Sequence, residues 1–135
     1  MNTKFPARNS LTLWAFAFVF LAWVGAAGAA LSGIKAVGPT GDYASITAAI
    51  ADIQMQTLGG PLILELQSNY VSTVETFPLV FSNLTTTAVN TLTLRPQLGA
   101  TNLLITSADT TAATVDLNGA QFVTIDGRPG GVRRQ

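Results

Sequence analysis

Residues 115–119 read Val-Asp-Leu-Asn-Gly and residues 123–127 read Val-Thr-Ile-Asp-Gly, so one short pattern occurs twice near the C-terminal end. Aliphatic and β-branched residues favour strands. The Asn-Gly or Asp-Gly that follows favours a tight turn, because glycine readily adopts positive φ and Asn or Asp tolerates it. The pattern therefore predicts short strands that end at corner turns.

Further stretches upstream are of the same kind, short and closed by turn residues. They are residues 62–66, 77–81, 92–95 and 103–106. Leu117 follows Leu94 by 23 positions, and Ile125 follows Ile105 by 20 positions. Both intervals suit one coil of a solenoid built from several short strands. We therefore predict a mainly β chain folded as a right-handed parallel β-helix. A β-sandwich has a similar number of strands, but its hairpins usually have longer strands and two-residue turns.

One apolar side chain of each predicted strand should face a shared interior. The predicted interior residues are Leu64, Leu94, Ile105, Leu117 and Ile125.

Residues 41–58 carry the helical pattern of the mature chain. Apolar residues recur at i, i+3, i+4 and i+7, which predicts a single buried face; they are Ile46, Ala49, Ile50 and Ile53. Ser45 is the predicted N-cap, and Gly59-Gly60-Pro61 is expected to end the helix. The first coil of a solenoid has an open apolar end and a free strand edge. We predict that this helix covers that end and that residues 59–135 form the first coils.

Residues 1–29 have the three zones of a signal peptide, and residues 30–40 are read as a linker. Lys4 and Arg8 precede an apolar run from Leu11 to Val24, and small residues follow it. The small residues fit the cleavage rule of signal peptidase. The alternative is an uncleaved transmembrane anchor, since the apolar stretch with its Ala/Gly tail reaches roughly 20 residues. Both readings place the rest of the chain outside the cytoplasm.

Composition excludes several kinds of chemistry. The 135 residues include no cysteine and no histidine, so thiol catalysis, Cys-ligated metal sites and Ser–His–Asp mechanisms are excluded. Seven basic residues balance seven acidic ones, and no basic face predicts a nucleic-acid partner.

Several stretches, taken in order, resemble a known kind of protein. They are Asp-Tyr-Ala-Ser-Ile-Thr-Ala-Ala-Ile from residue 42, Gly-Gly-Pro from residue 59, Asn-Thr-Leu-Thr-Leu-Arg-Pro from residue 90, and residues 115–131. This order resembles the N-terminal β-helix region of large secreted Bacteroidetes proteins, which are similar in fold to pectate lyases. Many of those proteins carry a C-terminal sorting domain for type IX secretion. The resemblance implies further coils after residue 131, so the chain is expected to be a fragment.

The fold suggests a polysaccharide site, and the carboxylates are its candidates. They are Asp42, Asp52, Glu65, Glu75, Asp109, Asp116 and Asp126, with Arg95 and Arg128 as possible cations. β-Helix lyases use calcium held by several carboxylates, and calcium takes six or more oxygens. Asp116 and Asp126 are expected to face outward on different sides, and Arg128 to be a turn residue. We therefore predict no catalytic, cofactor-binding or metal-binding residue and no cofactor.

Three hypotheses about function follow. The first is a non-catalytic extracellular or cell-surface module, used as a stem, an adhesin or a surface that contacts glycans. The second is the N-terminal piece of a polysaccharide lyase or hydrolase whose catalytic coils lie elsewhere. The third is a small protein anchored by its uncleaved leader, with no other contact to the membrane. The expected partner is an extracellular glycan or a cell-surface component.

Overall fold

The computed structural model describes residues 30–132, which are built mainly from strands in parallel sheets with little helix. The strands are β1 (Leu31–Val37), β2 (Leu58–Leu66), β3 (Leu79–Val80), β4 (Leu92–Pro96), β5 (Val115–Asp116) and β6 (Val123–Ile125). One α-helix in this range, α1, spans Ile46–Met55, and short 3-10 helices span Ser72–Val74 and Pro129–Gly131. The predicted signal peptide, residues 1–29, lies outside the described residues. Within residues 30–132, none of the helices has the length and hydrophobicity needed to cross a membrane.

All strand pairs are parallel, and the chain returns repeatedly to the same sheet. The larger sheet has the order β1-β2-β4-β6, and the smaller one pairs β3 with β5. Three layers result, which we define as residues 31–57, 58–91 and 92–122, and β6 begins the next. Leu94 pairs with Leu64, 30 positions earlier, and with Ile125, 31 positions later. The predicted repeat of 20 to 23 residues was therefore wrong. Each layer contains long loops whose length has no periodic signal in the sequence, so the spacing of strand patterns underestimated the repeat.

In the first layer, helix α1 occupies the position that β3 occupies in the second layer and β5 in the third. Its N-terminal turn bonds to the segment before β3, since Thr76 N donates to Thr47 Oγ1 at 3.1 Å. Its C-terminal half bonds to the segment after β3, since Gln54 Nε2 donates to Ser82 O at 3.0 Å. The predicted apolar face is buried at all four positions. The helix thus covers β3 at the N-terminal end of the stack.

Local details of this first layer differ from the prediction. Ser45 is the N-cap, as expected, and accepts from Ala48 N at 3.0 Å. The helix ends at Met55, however, and residues 59–61 lie inside β2 rather than acting as the stop. The predicted linker, residues 30–40, contains β1. Gly33, at φ 78°, sits where the register of β1 shifts, and an edge strand accommodates such an irregularity.

The core lies between the two sheets and the helix. Its fully buried side chains include Val37, Ile46, Ile53, Leu58, Leu62, Leu64, Leu79, Phe81, Leu92 and Leu94. Leu64 and Leu94 are buried as predicted, and Ile105 is partly buried against the core. The prediction was wrong for Leu117 and Ile125, which are 47% and 51% exposed. Ile125 is in register with Leu94, but no described layer lies beyond it.

The segment 103–106 was also predicted as a strand and is not a regular one. It is nevertheless attached to the layer before it, because Thr106 N donates to Ser72 Oγ at 3.2 Å.

Candidate functional site

A charged pair lies on the outer face of the larger sheet. Glu65 in β2 and Arg95 in β4 are in-register partners. Glu65 lies between the buried Leu64 and Leu66, and Arg95 follows the buried Leu94. Arg95 donates to Glu65 Oε1 from Nε at 2.9 Å and from Nη2 at 2.6 Å. Both side chains are more than four-fifths covered. The ion pair therefore links β2 of the second layer to β4 of the third layer.

The turn after β6 closes over Arg95. Gly131 has φ 72°, and a Cβ at this position would lie 2.7 Å from Arg95 Nη1. Glycine is favoured here by the left-handed backbone, and a larger residue would also have to displace the end of the Arg95 side chain. Neighbouring Gly130, at φ 62°, approaches the side chain of Leu98 in the same way. The Pro-Gly-Gly sequence therefore lets the chain fold back onto β4, a role that the sequence analysis did not identify.

Asp126 and Arg128 form a second pair at the same turn. Arg128 donates to Asp126 from its backbone N at 2.9 Å, from Nε at 2.8 Å and from Nη2 at 2.9 Å. These bonds, the side-chain bond foremost, lower the pKa of the Asp126 carboxyl below its ordinary value. The prediction that Arg128 belongs to a turn is confirmed. Asp116 lies in the smaller sheet and Asp126 follows the larger one, so the two are on different sheets as expected.

Glu75 joins the second layer to the helix of the first. One of its oxygens accepts from Ile46 N at 2.7 Å and from the Tyr70 hydroxyl at 2.8 Å. The other accepts from Thr47 N at 2.8 Å and from Thr47 Oγ1 at 2.6 Å. A carboxylate is favourable here because the first amides of a helix have no partner within the helix and carry partial positive charge.

The remaining carboxylates hold local structure. Asp42 accepts from Ala36 N and from Lys35, Asp52 from the Tyr43 hydroxyl and Gln56, Asp109 from Thr111, and Asp116 from Asn118 N. All seven acidic side chains thus have a protein partner, and so do the three basic residues of the described part. Within residues 30–132, no three metal-ligating side chains come together.

Three aromatic side chains, Tyr43, Tyr70 and Phe122, are candidates for stacking on a sugar, and the two tyrosines are engaged in the fold. Tyr70 is buried, and Tyr43 is partly buried with its hydroxyl 2.6 Å from Asp52. Burial raises the pKa of both phenols, so they remain neutral. Phe122 is 46% exposed and has an unusual left-handed backbone at φ 54°. It lies at the corner before β6, on the accessible surface.

The comparisons with known proteins add no assignment. No protein-family model matches the chain, and neither a curated protein nor a solved structure shows significant similarity to it.

Proposed function

We propose that the chain is the N-terminal part of a non-catalytic extracellular module, a right-handed parallel β-helix that serves as a stem, an adhesin or a glycan-contact surface. The proposal includes export by the N-terminal leader and an origin among the secreted Bacteroidetes proteins that the sequence resembles. Its expected partner is an extracellular glycan or another cell-surface component.

The parallel layers support the β-helix part of the proposal. Successive strands of the larger sheet are offset by about 30 residues, and their apolar positions align in register from Leu62 to Leu92 to Val123. Repeated parallel returns without hairpins are typical of solenoids, in which each repeat contacts only its neighbours. Parallel crossovers within one sheet are right-handed in about 98% of cases, which favours the handedness that we propose.

A single observation carries the non-catalytic part: every charged side chain of the described residues is bound in a structural contact. A carboxylate that acts as a general acid near neutral pH has a pKa raised toward neutrality. The pKa values of Asp42, Asp109 and Asp126 are instead lowered by hydrogen bonds that these carboxylates accept. Such groups stabilise turns and are poor proton donors near neutral pH.

Exposed apolar side chains at the C-terminal end of the described stack support the proposal that the stack continues with further layers. Leu117 and Ile125 are about half exposed, whereas the four apolar residues of α1 at the opposite end are buried. An exposed apolar surface next to a free strand edge favours association. We propose that further layers of the same kind cover this end in the functional protein.

The proposal is tested by titrating the full chain with calcium in a calorimeter and by assaying product release from polygalacturonate and related acidic glycans. We expect no calcium binding in the micromolar range and no product. Product formation that is lost on Asp126→Ala would refute the non-catalytic proposal and favour the lyase or hydrolase alternative. Export is tested separately, because mass spectrometry of the mature N-terminus distinguishes a cleaved signal peptide from a retained anchor.

A further inference from the structure

A polar cleft of about 390 Å³ lies where the second and third layers turn away from the smaller sheet. It is lined by Asn83, Leu84, Thr86, Asn118, Gly119, Ala120 and Gln121. We call it the amide cleft, because three of these residues have side-chain amides. Its volume lies within the range of about 300–1,000 Å³ that is common for ligand pockets.

The fold builds this cleft from equivalent corners of two layers. Asn83 comes shortly after β3 and Asn118 shortly after β5, and both have left-handed backbones, at φ 53° and 41°. Asparagine is one of the few residues that adopts this conformation at low cost. Thr86 Oγ1 donates to Gln121 O at 2.7 Å and ties the two walls together. The backbone corners that carry the amides therefore belong to both layers and are joined by this bond.

Six of the ten side-chain amides in residues 30–132 make no hydrogen bond to the protein, and the cleft brings three of them together, whereas Asn69, Gln97 and Asn102 lie outside it. The side chains of Gln54, Gln56, Gln67 and Asn90 bond to protein atoms. Among the hydrogen bonds of residues 30–132, the side chains of Asn83, Asn118 and Gln121 have no protein partner. Each therefore offers one acceptor and two donors to a ligand. The lining contains no charged side chain.

We infer that the amide cleft binds a neutral glycan. Sugar hydroxyls donate and accept hydrogen bonds at once, as side-chain amides do, and the apolar side chains of Leu84 and Ala120 can contact a C–H face of the ring. A uronate, sulfate or phosphate group is bound most strongly by a cationic partner, and the lining supplies none. The inference rests on the proposed function, since it specifies the site and the class of glycan.

Glycine substitutions test the site without straining the backbone. Asn83→Gly and Asn118→Gly together remove two amides while keeping the positive φ that the corners need. Asn102→Gly is the matched control, because Asn102 is also left-handed, at φ 59°, and lies outside the amide cleft. Thermal melting of each variant verifies that the fold is retained.

The measurement is a proton–nitrogen NMR titration of the full chain with mannotetraose, cellotetraose and laminaritetraose, with tetragalacturonate as the charged comparison. We expect saturable shifts of the side-chain amide signals of Asn83, Asn118 and Gln121 with at least one neutral probe. The double variant should bind at least about tenfold more weakly, since it loses hydrogen bonds from two amides, and Asn102→Gly should bind as the unchanged chain does.

Three results would overturn the inference besides shifts that map elsewhere: no saturable shift with any neutral probe, equal affinity in the double variant, or equal binding of tetragalacturonate. Saturable shifts confined to another face would exclude this site and leave the proposed function standing. Turnover of a glycan in the activity assay would instead refute the proposed function.

Discussion

Replacing Glu75 by alanine should destabilise the fold strongly, because one carboxylate satisfies four donors. It accepts from Ile46 N, Thr47 N, the Thr47 hydroxyl and the Tyr70 hydroxyl, all at 2.6–2.8 Å. A hydrogen bond to a charged group contributes about 1.5–3 kcal/mol. Thr47 and Glu75 are only partly buried, so water replaces some of these bonds. We therefore expect the free energy of unfolding to fall by about 3 kcal/mol.

For a chain of this size the melting temperature should fall by at least about 12 °C, measured by circular dichroism and checked by urea denaturation. Two matched variants separate the contributions. Glu75→Gln keeps an acceptor oxygen but loses the charge, and we expect about half of the loss. Thr47→Val removes the hydroxyl, which donates to Glu75 and accepts from Thr76 N, and should cost about 1 kcal/mol. A stability of Glu75→Ala within about 0.5 kcal/mol of the unchanged chain, the usual range for a surface change, would refute the proposed link between the layers.

The other predictions concern the core, the turn and alkaline pH. Leu94→Asp should unfold the chain, because an unpaired buried charge costs several kcal/mol, whereas Ile125→Asp at the exposed end should melt almost unchanged; equal melting of both would contradict this placement. Gly131→Ala should lower the unfolding free energy by about 1–2 kcal/mol through strain at positive φ, and Gly127→Ala, which meets no atom within 4 Å, should not. Burial raises the pKa of Tyr70 above its ordinary value of 10.0. The stability that it contributes is therefore complete below pH 10 and is lost as pH rises further, so ultraviolet absorbance should show tyrosinate forming only together with unfolding.

The sequence predicted those parts of the fold that depend on local pattern. The helix, its Ser45 cap and its buried face follow from spacing within about ten residues, and the burial of Leu64 follows from alternation along β2. Strand β1 was missed because Gly33 interrupts its pattern and because edge strands need little side-chain packing. Residues 103–106 show the opposite error, since a run of apolar residues predicted a strand but does not form a regular one.

The contacts of the candidate site depend on register, which the sequence did not reveal. A repeat of 20 to 23 residues does not bring Glu65 opposite Arg95, whereas the observed offset of 30 places them side by side. The bonds of Glu75 to the start of α1 span 28 and 29 positions for the same reason. Turn residues were easier to identify, since Arg128 pairs with Asp126 only two positions away. The lengths of the loops leave no periodic signal in the sequence, so the strand register, and with it the contacts of the site, could not be predicted.

The two edges of the larger sheet differ in a way that gives the stack a direction. On β1, Lys35 stands in register with Leu64 and is ion-paired with Asp42, so a strand added outside β1 would meet a charge in the column of core leucines. Inward-placed lysine and local irregularity are known means of blocking an edge. On β6, Val123 and Ile125 extend the same columns without any charge. In the β-helix that we propose, each layer is stabilised by its neighbours. We therefore expect the first layer, with Lys35 at its edge, to stop growth at one end, while β6 offers a free edge for a further layer at the other.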